Sequence, residues 1–299
     1  MFKLSRYCAP RRVLTALTAF ALAAISVPGV LAQPQPSPLT NDQTQALVKR
    51  VLQTEIAAVQ DLSHPMQYRL RKTSPRYSTT KMIVETKDGD VARLIAVNNQ
   101  PLSPDSQKAE DDRLQGLLND PSRQHHREES EQSDAKRIRD IIADLPDAFL
   151  YTFAGIVDTP QGPSFRLTFQ PNPSFDPPTL EGSVLKAMAG ELWIDVAQQR
   201  VTHLDCKRQR DVYVGMGLGK LEQGGTLLLE QADIGNRQWR AIRMVMAMNV
   251  RVLFETKNWD TTLELTQFAP VASGITYQQA IQILRSNEPA SENLTNSAK

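Results

Sequence analysis

The chain has 299 residues, 40% of them hydrophobic, with 34 Lys and Arg against 33 Asp and Glu. A balance so near neutrality, with no basic cluster, excludes the electrostatic footprint of a nucleic-acid-binding protein. Two cysteines, Cys8 and Cys206, exclude a disulfide-stapled scaffold, so a chain of this length must rest on a hydrophobic core.

Lys3, Arg6, Arg11 and Arg12 precede an apolar run from Val13 to Val27, which ends at Pro28-Gly29. This pattern predicts a secretory signal peptide over residues 1–32, cut after Ala32, with Val30 and Ala32 as the small residues of the cleavage site. The run is shorter than the roughly 20 residues that a spanning helix needs, and no later segment is apolar enough to span a membrane. Cys8 stands before the apolar run, so it is not a lipidation site and leaves with the signal. The mature chain then keeps one cysteine and 30 basic residues against 33 acids, a net charge near −3. Few cysteines and a bacterial-looking signal point to the periplasm.

Residues 33–40, QPQPSPLT, read as an extended Pro-rich linker. Asn41 or Asp42 can cap a helix in which Leu47, Val48, Val51, Leu52 and Ile56 recur at helical spacing. MQYRLRKT from Met66, YSTTKMIVETK from Tyr77 and VARLIAVNN from Val91 then predict a meander, with Asp88-Gly89-Asp90 as a hairpin turn. From Ser106 to Asp147 the pattern changes to 11 acids against seven bases. Leu114, Leu117, Leu118, Ile138, Ile141, Ile142 and Leu145 keep helical spacing there, which predicts a lightly docked insertion of two helices divided near Asp120-Pro121.

Strands resume with AFLYTFAGIVD and SFRLTFQ, and the prolines of residues 171–179 exclude a central strand. A short helix, SVLKAMA, leads into the hairpin ELWIDVAQQRVTHLD, residues 191–205. After it come TLLLEQADI, a two-residue turn at Gly235-Asn236, and three strands, QWRAIRMVMAM, VRVLFETK and TTLELTQFAPV, before a small helix around Gln278 to Leu284. The fold expected is α+β and mainly β: a single domain over 41–285 carrying the insertion 106–147, with 286–299 as a flexible tail.

No residue pattern supplies a catalytic or cofactor site. GMGLGK, residues 215–220, has three residues between its glycines where a phosphate loop has four, and Leu221 follows the lysine, so it reads as a bend. His125 and Glu129 stand one helical turn apart but belong to a solvated helix face. His203 and Cys206 lie three apart in a strand, hence on opposite faces, and cannot form a dyad. No GxSxG elbow or HExxH helix occurs. The chain is therefore read as neither an enzyme nor a metalloprotein, with a hydrolase of unrecognised site as the remaining enzymatic alternative. Ile242, Met244, Met246 and Met248 are expected on one strand face, opposite Arg243, Val245 and Ala247. A row of flexible, polarizable side chains makes an apolar surface that adapts to ligands of varied shape.

The order of export signal, N-terminal helix, long meander and a late LWID…QRVTHLD hairpin resembles the LolA/LolB-type fold of periplasmic lipoprotein carriers. PNPSFDPPTLEGSVLKAMAGELWID, residues 171–195, and LLLEQADIGNRQW, residues 227–239, also look like motifs of exported proteins of the outer-membrane lipoprotein-sorting kind. The resemblance implies a curved antiparallel sheet forming an unclosed barrel, with short helices on its concave face and a cavity that holds acyl chains.

The expected function is thus a periplasmic carrier for a lipid or the acyl part of a lipoprotein, with no cofactor. The alternative is a cell-envelope sensory or scaffolding module that binds a partner protein through the charged helices. The expected lining is Ile242, Met244, Met246 and Met248, with Leu227, Leu229 and Phe254 as neighbours; alternation alone leaves open which sheet face the Met row occupies.

Overall fold

A computed structural model describes residues 38–177, 179–214, 219–252 and 255–286. The expected signal peptide, most of the linker, nearly all of the C-terminal tail, Phe254 and most of the 215–220 bend lie outside these residues.

Helix α1 (Asn41–Gln60) begins at the first residue expected as its cap, so the cap itself lies one residue earlier. Thr40 is the N-cap: its hydroxyl accepts from the Gln43 N–H, and the Gln43 side chain accepts from the Thr40 N–H at 2.9 Å, a reciprocal capping box. The meander follows as β1 (Met66–Thr73), β2 (Ser78–Val84), β3 (Val91–Val97) and the short β4 (Gln100–Pro101). Then come α2 (Pro104–Asn119), α3 (Pro121–Ala148), β5 (Phe149–Thr159), β6 (Gly162–Pro171), α4 (Leu180–Leu185), β7 (Met188–Asp195) and β8 (Val201–Arg208). The chain continues through β9 (Val212–Val214), β10 (Gly219–Leu221), β11 (Thr226–Asp233), β12 (Trp239–Val252), β13 (Glu255–Pro270) and α5 (Tyr277–Ser286).

Among the described residues all the strands belong to one antiparallel sheet in the order β4-β3-β2-β1-β13-β12-β11-β8-β7-β6-β5, with β9 and β10 joined to the side of β12. The sheet is not closed into a barrel: β4 and β5 are its two edges. The fold is mainly β, as expected, but three local readings change. The predicted helix SVLKAMA starts and ends three or four residues earlier, because Met188 and Ala189 already pair with Arg208 and Lys207. The turn after β11 is a three-residue loop, Gly235, Asn236 and Arg237, all with positive φ, closed by the Ile234 N–H donating to the Gln238 carbonyl at 2.9 Å. Finally, the last three predicted strands are two long ones. Asn249 and Asn258, which lie between the expected strands, are cross-strand partners inside the ladder, since an asparagine without a following glycine does not enforce a turn.

Two separate cores form on this sheet. In the first, Leu47, Val48, Val51 and Leu52 of α1 pack on Phe149, Tyr151, Leu167, Phe169, Leu192, Ile194 and Val201 of the β5–β8 half. In the second, Leu114 and Leu117 of α2 and Ala280, Ile281 and Leu284 of α5 pack on Val84 and Val91 of β2 and β3. The strands between, β11 and β12, carry half-buried side chains along almost their whole length.

The charged insertion is therefore not lightly docked. It carries the chain from edge strand β4 to the opposite edge β5, and its apolar residues enter both cores: Leu114 is fully buried, and Ile142 and Leu145 pack on the first cluster. The Gln45 side-chain amide donates to the Pro146 carbonyl and ties α1 to α3. A side chain buried like Leu114 loses both its transfer energy and its packing on truncation. Leu114→Ala should cost about 2–5 kcal/mol in denaturant unfolding; a loss of under about 0.5 kcal/mol, typical of surface positions, would mean that α2 is not part of the core.

Candidate functional site

Between the two cores lies a cavity of about 650 Å³. Its floor is a cross-strand row: Leu192 faces Leu204, Leu204 faces Leu229, and Leu229 faces Met244, and all four line the space. Phe149, Tyr151 and Phe169 close the β5–β6 end and are almost fully buried. Leu52 of α1 forms one wall, while Ile138, Ile142 and Leu145 of α3 form the roof. At the other end Asp61, Leu62, Glu85, Lys87, Asp90 and Arg240 surround the mouth, where Leu62 is 72% exposed.

Register decides which of the expected lining residues belong here. Met244 and Leu229 line the cavity. Met246 pairs with Leu227, which packs on the first core, so the Met row lies on the helix-covered face of the sheet. Neither of these two borders the cavity, and Met248, opposite the exposed Trp259, is farther along the strand. Ile242 does not border the cavity. A β-bulge sets Glu230 against Arg243 and Gln231 against Ala241, leaving Ile242 as the extra residue, so Ala241 and Trp239 line the cavity in its place. Alternation read from sequence cannot register a bulge.

One charged pair is built into the wall. Glu55 of α1 accepts two hydrogen bonds from Arg200, each 2.9 Å, and a third from the Val201 N–H at 3.0 Å. Both side chains are nearly buried. The guanidinium also lies 5.9 Å from the centre of the Trp239 ring, whose Nε1 donates to Gln198 Oε1 at 3.0 Å. Fork-to-carboxylate geometry satisfies the charges against each other, and removing one partner would strand the other in a low-dielectric wall.

The roof is fastened at its far end to the β2–β3 turn. The Gln124 amide donates to the carbonyls of Asp88 and Gly89 at 2.7 and 3.0 Å, and Arg127 donates to the Asp90 carbonyl at 2.7 Å. The Asp90 N–H in turn donates to Glu131 at 2.8 Å. Gly89 is required here: its φ is +87°, and a Cβ would meet Glu131, Gln124 and the α3 backbone at 3.1–3.2 Å. Glu85, Asp90 and Glu131 meet at this junction, faced by Arg127, Arg240 and the half-buried Tyr68. Burial first, then the charges of Glu131 and Glu85, pushes the Asp90 carboxyl up to about 7. Burial also raises Glu85 and Glu131.

The groups considered for catalysis lie elsewhere. Cys206 is buried in the first core, and burial pushes its thiol up to about 12. His203 points to the other face and stacks on Trp193 at 4.3 Å. His125 lies 3.3 Å from Glu129 on the exposed side of α3. Among the described residues no group of three or more His, Cys, Asp or Glu could hold a metal ion, and no helix is long and apolar enough to cross a membrane.

No protein-family model matches the chain, and no curated protein does. Two solved structures are similar to it. One, described as an outer membrane lipoprotein-sorting protein domain from Vibrio parahaemolyticus, is 11% identical with a TM-score of 0.30, over 80% of this chain and 99% of that one. The other, a DUF1329 family protein from Desulfovibrio piger, is 10% identical with a TM-score of 0.28, over 76% and 92% of the two chains.

Asp90 makes the roof junction sensitive to pH. A carboxyl raised by folding favours the folded state while it is protonated, so its contribution is complete below the ordinary carboxylate range and is lost as pH rises through about 7. Thermal unfolding should therefore show lower stability at pH 8 than at pH 5, and Asp90→Asn should remove the larger part of that difference. An undiminished difference in the variant would contradict the assignment.

Proposed function

We propose that this chain is an exported, periplasmic carrier that binds the acyl part of an amphiphile in the cavity between its two cores. The observation that carries the reading is the cavity itself: a floor of four aliphatic side chains from four strands, an aromatic end and an apolar helical roof. Soluble folds seldom leave so much apolar surface unpacked, and a space of this size falls within the range of small-ligand sites. An acyl chain would complete the packing with a gain of about 0.8 kcal/mol per buried methylene.

The exposed charges of the insertion favour this reading over docking of a partner protein. Lys108 pairs with Asp112, Lys136 with Asp140 and Arg137 with Asp134, so these charges are matched within the helices, while the opposite face of α3 covers the cavity. Cleavage after Ala32 and periplasmic residence belong to the same proposal and rest on the first 32 residues.

Fluorescence of 1-N-phenylnaphthylamine, which brightens in apolar surroundings, tests the assignment. Leu229→Gln and Met244→Gln, checked for folding by circular dichroism, should each weaken probe binding by about tenfold or more, as a buried unpaired amide demands. Tyr213→Gln, on the exposed side chain of β9, serves as the control and should bind as the parent does. Equal binding by all three variants would place the probe outside the cavity and contradict the reading.

A further inference from the structure

The size and polarity of the cavity narrow its ligand class, given the reading of the cavity as an amphiphile site. We propose that it holds one acyl chain at a time, as presented by a single-chain amphiphile such as a fatty acid or lysolipid, and excludes the paired or triple chains of bilayer lipids and lipid-modified proteins.

Volume sets the first limit. At interior packing density a methylene fills about 27 Å³, so a sixteen-carbon chain needs about 430 Å³, two need about 870 Å³ and three about 1,300 Å³. The space available is about 650 Å³. It takes one chain with room for part of a head group and is too small for two.

Length agrees. From Phe169 on β6 to Met244 on β12 the sheet crosses four inter-strand steps, through β7, β8 and β11. At about 4.8 Å each these span about 19 Å, close to an extended sixteen-carbon chain. The walls cannot easily yield more room. Phe149 and Phe169 pack as a tilted pair at 4.6 Å between ring centres, Tyr151 is held by its hydroxyl donating to the Leu145 carbonyl at 3.1 Å, and the Glu55–Arg200 pair fixes α1 against the start of β8.

Polarity is distributed as one chain with one head group requires. The β5–β6 end presents the rings of Phe149, Tyr151 and Phe169, whereas Asp61, Glu85, Lys87, Asp90 and Arg240 gather at the mouth. Arg240 there donates to the His64 carbonyl at 3.0 Å and stands 3.9 Å from Glu85, and the exposed Lys87 has no side-chain partner among the described residues. A head group resting among Lys87, Arg240 and Asp61 leaves its chain directed toward Phe169.

Native mass spectrometry and probe displacement on the delipidated exported protein test this directly. The ligands are palmitoyl lysophosphatidylcholine, dipalmitoyl phosphatidylcholine and a synthetic triacylated lipopeptide, each delivered from cyclodextrin. The lysolipid should bind one to one and displace 1-N-phenylnaphthylamine at about tenfold lower concentration than either of the others. Across a series of lysolipids affinity should rise about fourfold per methylene and level off near sixteen carbons. One-to-one binding of the diacyl or triacyl ligand as tight as that of the lysolipid, or two lysolipids per chain, would overturn the single-chain inference while leaving the amphiphile reading intact. Failure of all three ligands to bind would overturn both.

Discussion

A wide apolar sheet face with helices packed over only its two ends is the constraint on which the rest of this structure depends. Every strand of an antiparallel sheet presents half of its side chains to each face, and an apolar face must be covered. Here α1 covers the β5–β8 half and α2 with α5 covers β2 and β3. The strands between have their apolar residues directed at space that no helix fills. The cavity is the direct consequence of that incomplete coverage, and its dimensions follow from the gap between the cores.

The edges of the sheet matter as much as its centre. Because β4 and β5 never pair, the chain must cross from one edge to the other, and α2 and α3 make that crossing. One requirement of connectivity thereby supplies two parts of the site: a helix that seals the second core and a helix that roofs the cavity. The roof is held at one end by packing, through Ile142 and Leu145, and at the other by hydrogen bonds to the β2–β3 turn from Gln124 and Arg127, with Glu131 accepting. Polar fastening of this kind responds to protonation where packing does not, and Asp90 places the response near neutral pH.

Much of the fold was legible in the residues because local chemistry set it. Strand periodicity, the Asp88-Gly89-Asp90 turn and the division at Asp120-Pro121 all depend on near neighbours in the chain. What sequence missed was non-local. The bulge at Ile242 depends on the register of β11, so alternation alone does not place Ile242 relative to the Met row. Asn249 and Asn258 lie between the expected strands, and only the pairing of the two long strands shows that they belong to one ladder. The lining residues Leu192, Leu204, Trp239 and Ile142 were visible as strand or helix positions, and two of them sit in the quoted LWID and QADIGNRQW stretches. Nothing in their spacing told that they converge on one space. The charge of the insertion hid its docking, since only one stripe of each helix is apolar and its contacts lie far along the chain.

The most direct test of the central claim is to ask what occupies the gap between the cores when the protein is taken from its cellular setting. Protein purified without detergent from the periplasm of an expression host would be examined by native mass spectrometry, followed by lipid extraction. A bound amphiphile at near one-to-one stoichiometry, lost in Leu229→Gln, is the predicted result. A folded protein recovered empty, with no mass increment in any charge state, would contradict the claim that the cavity is a binding site.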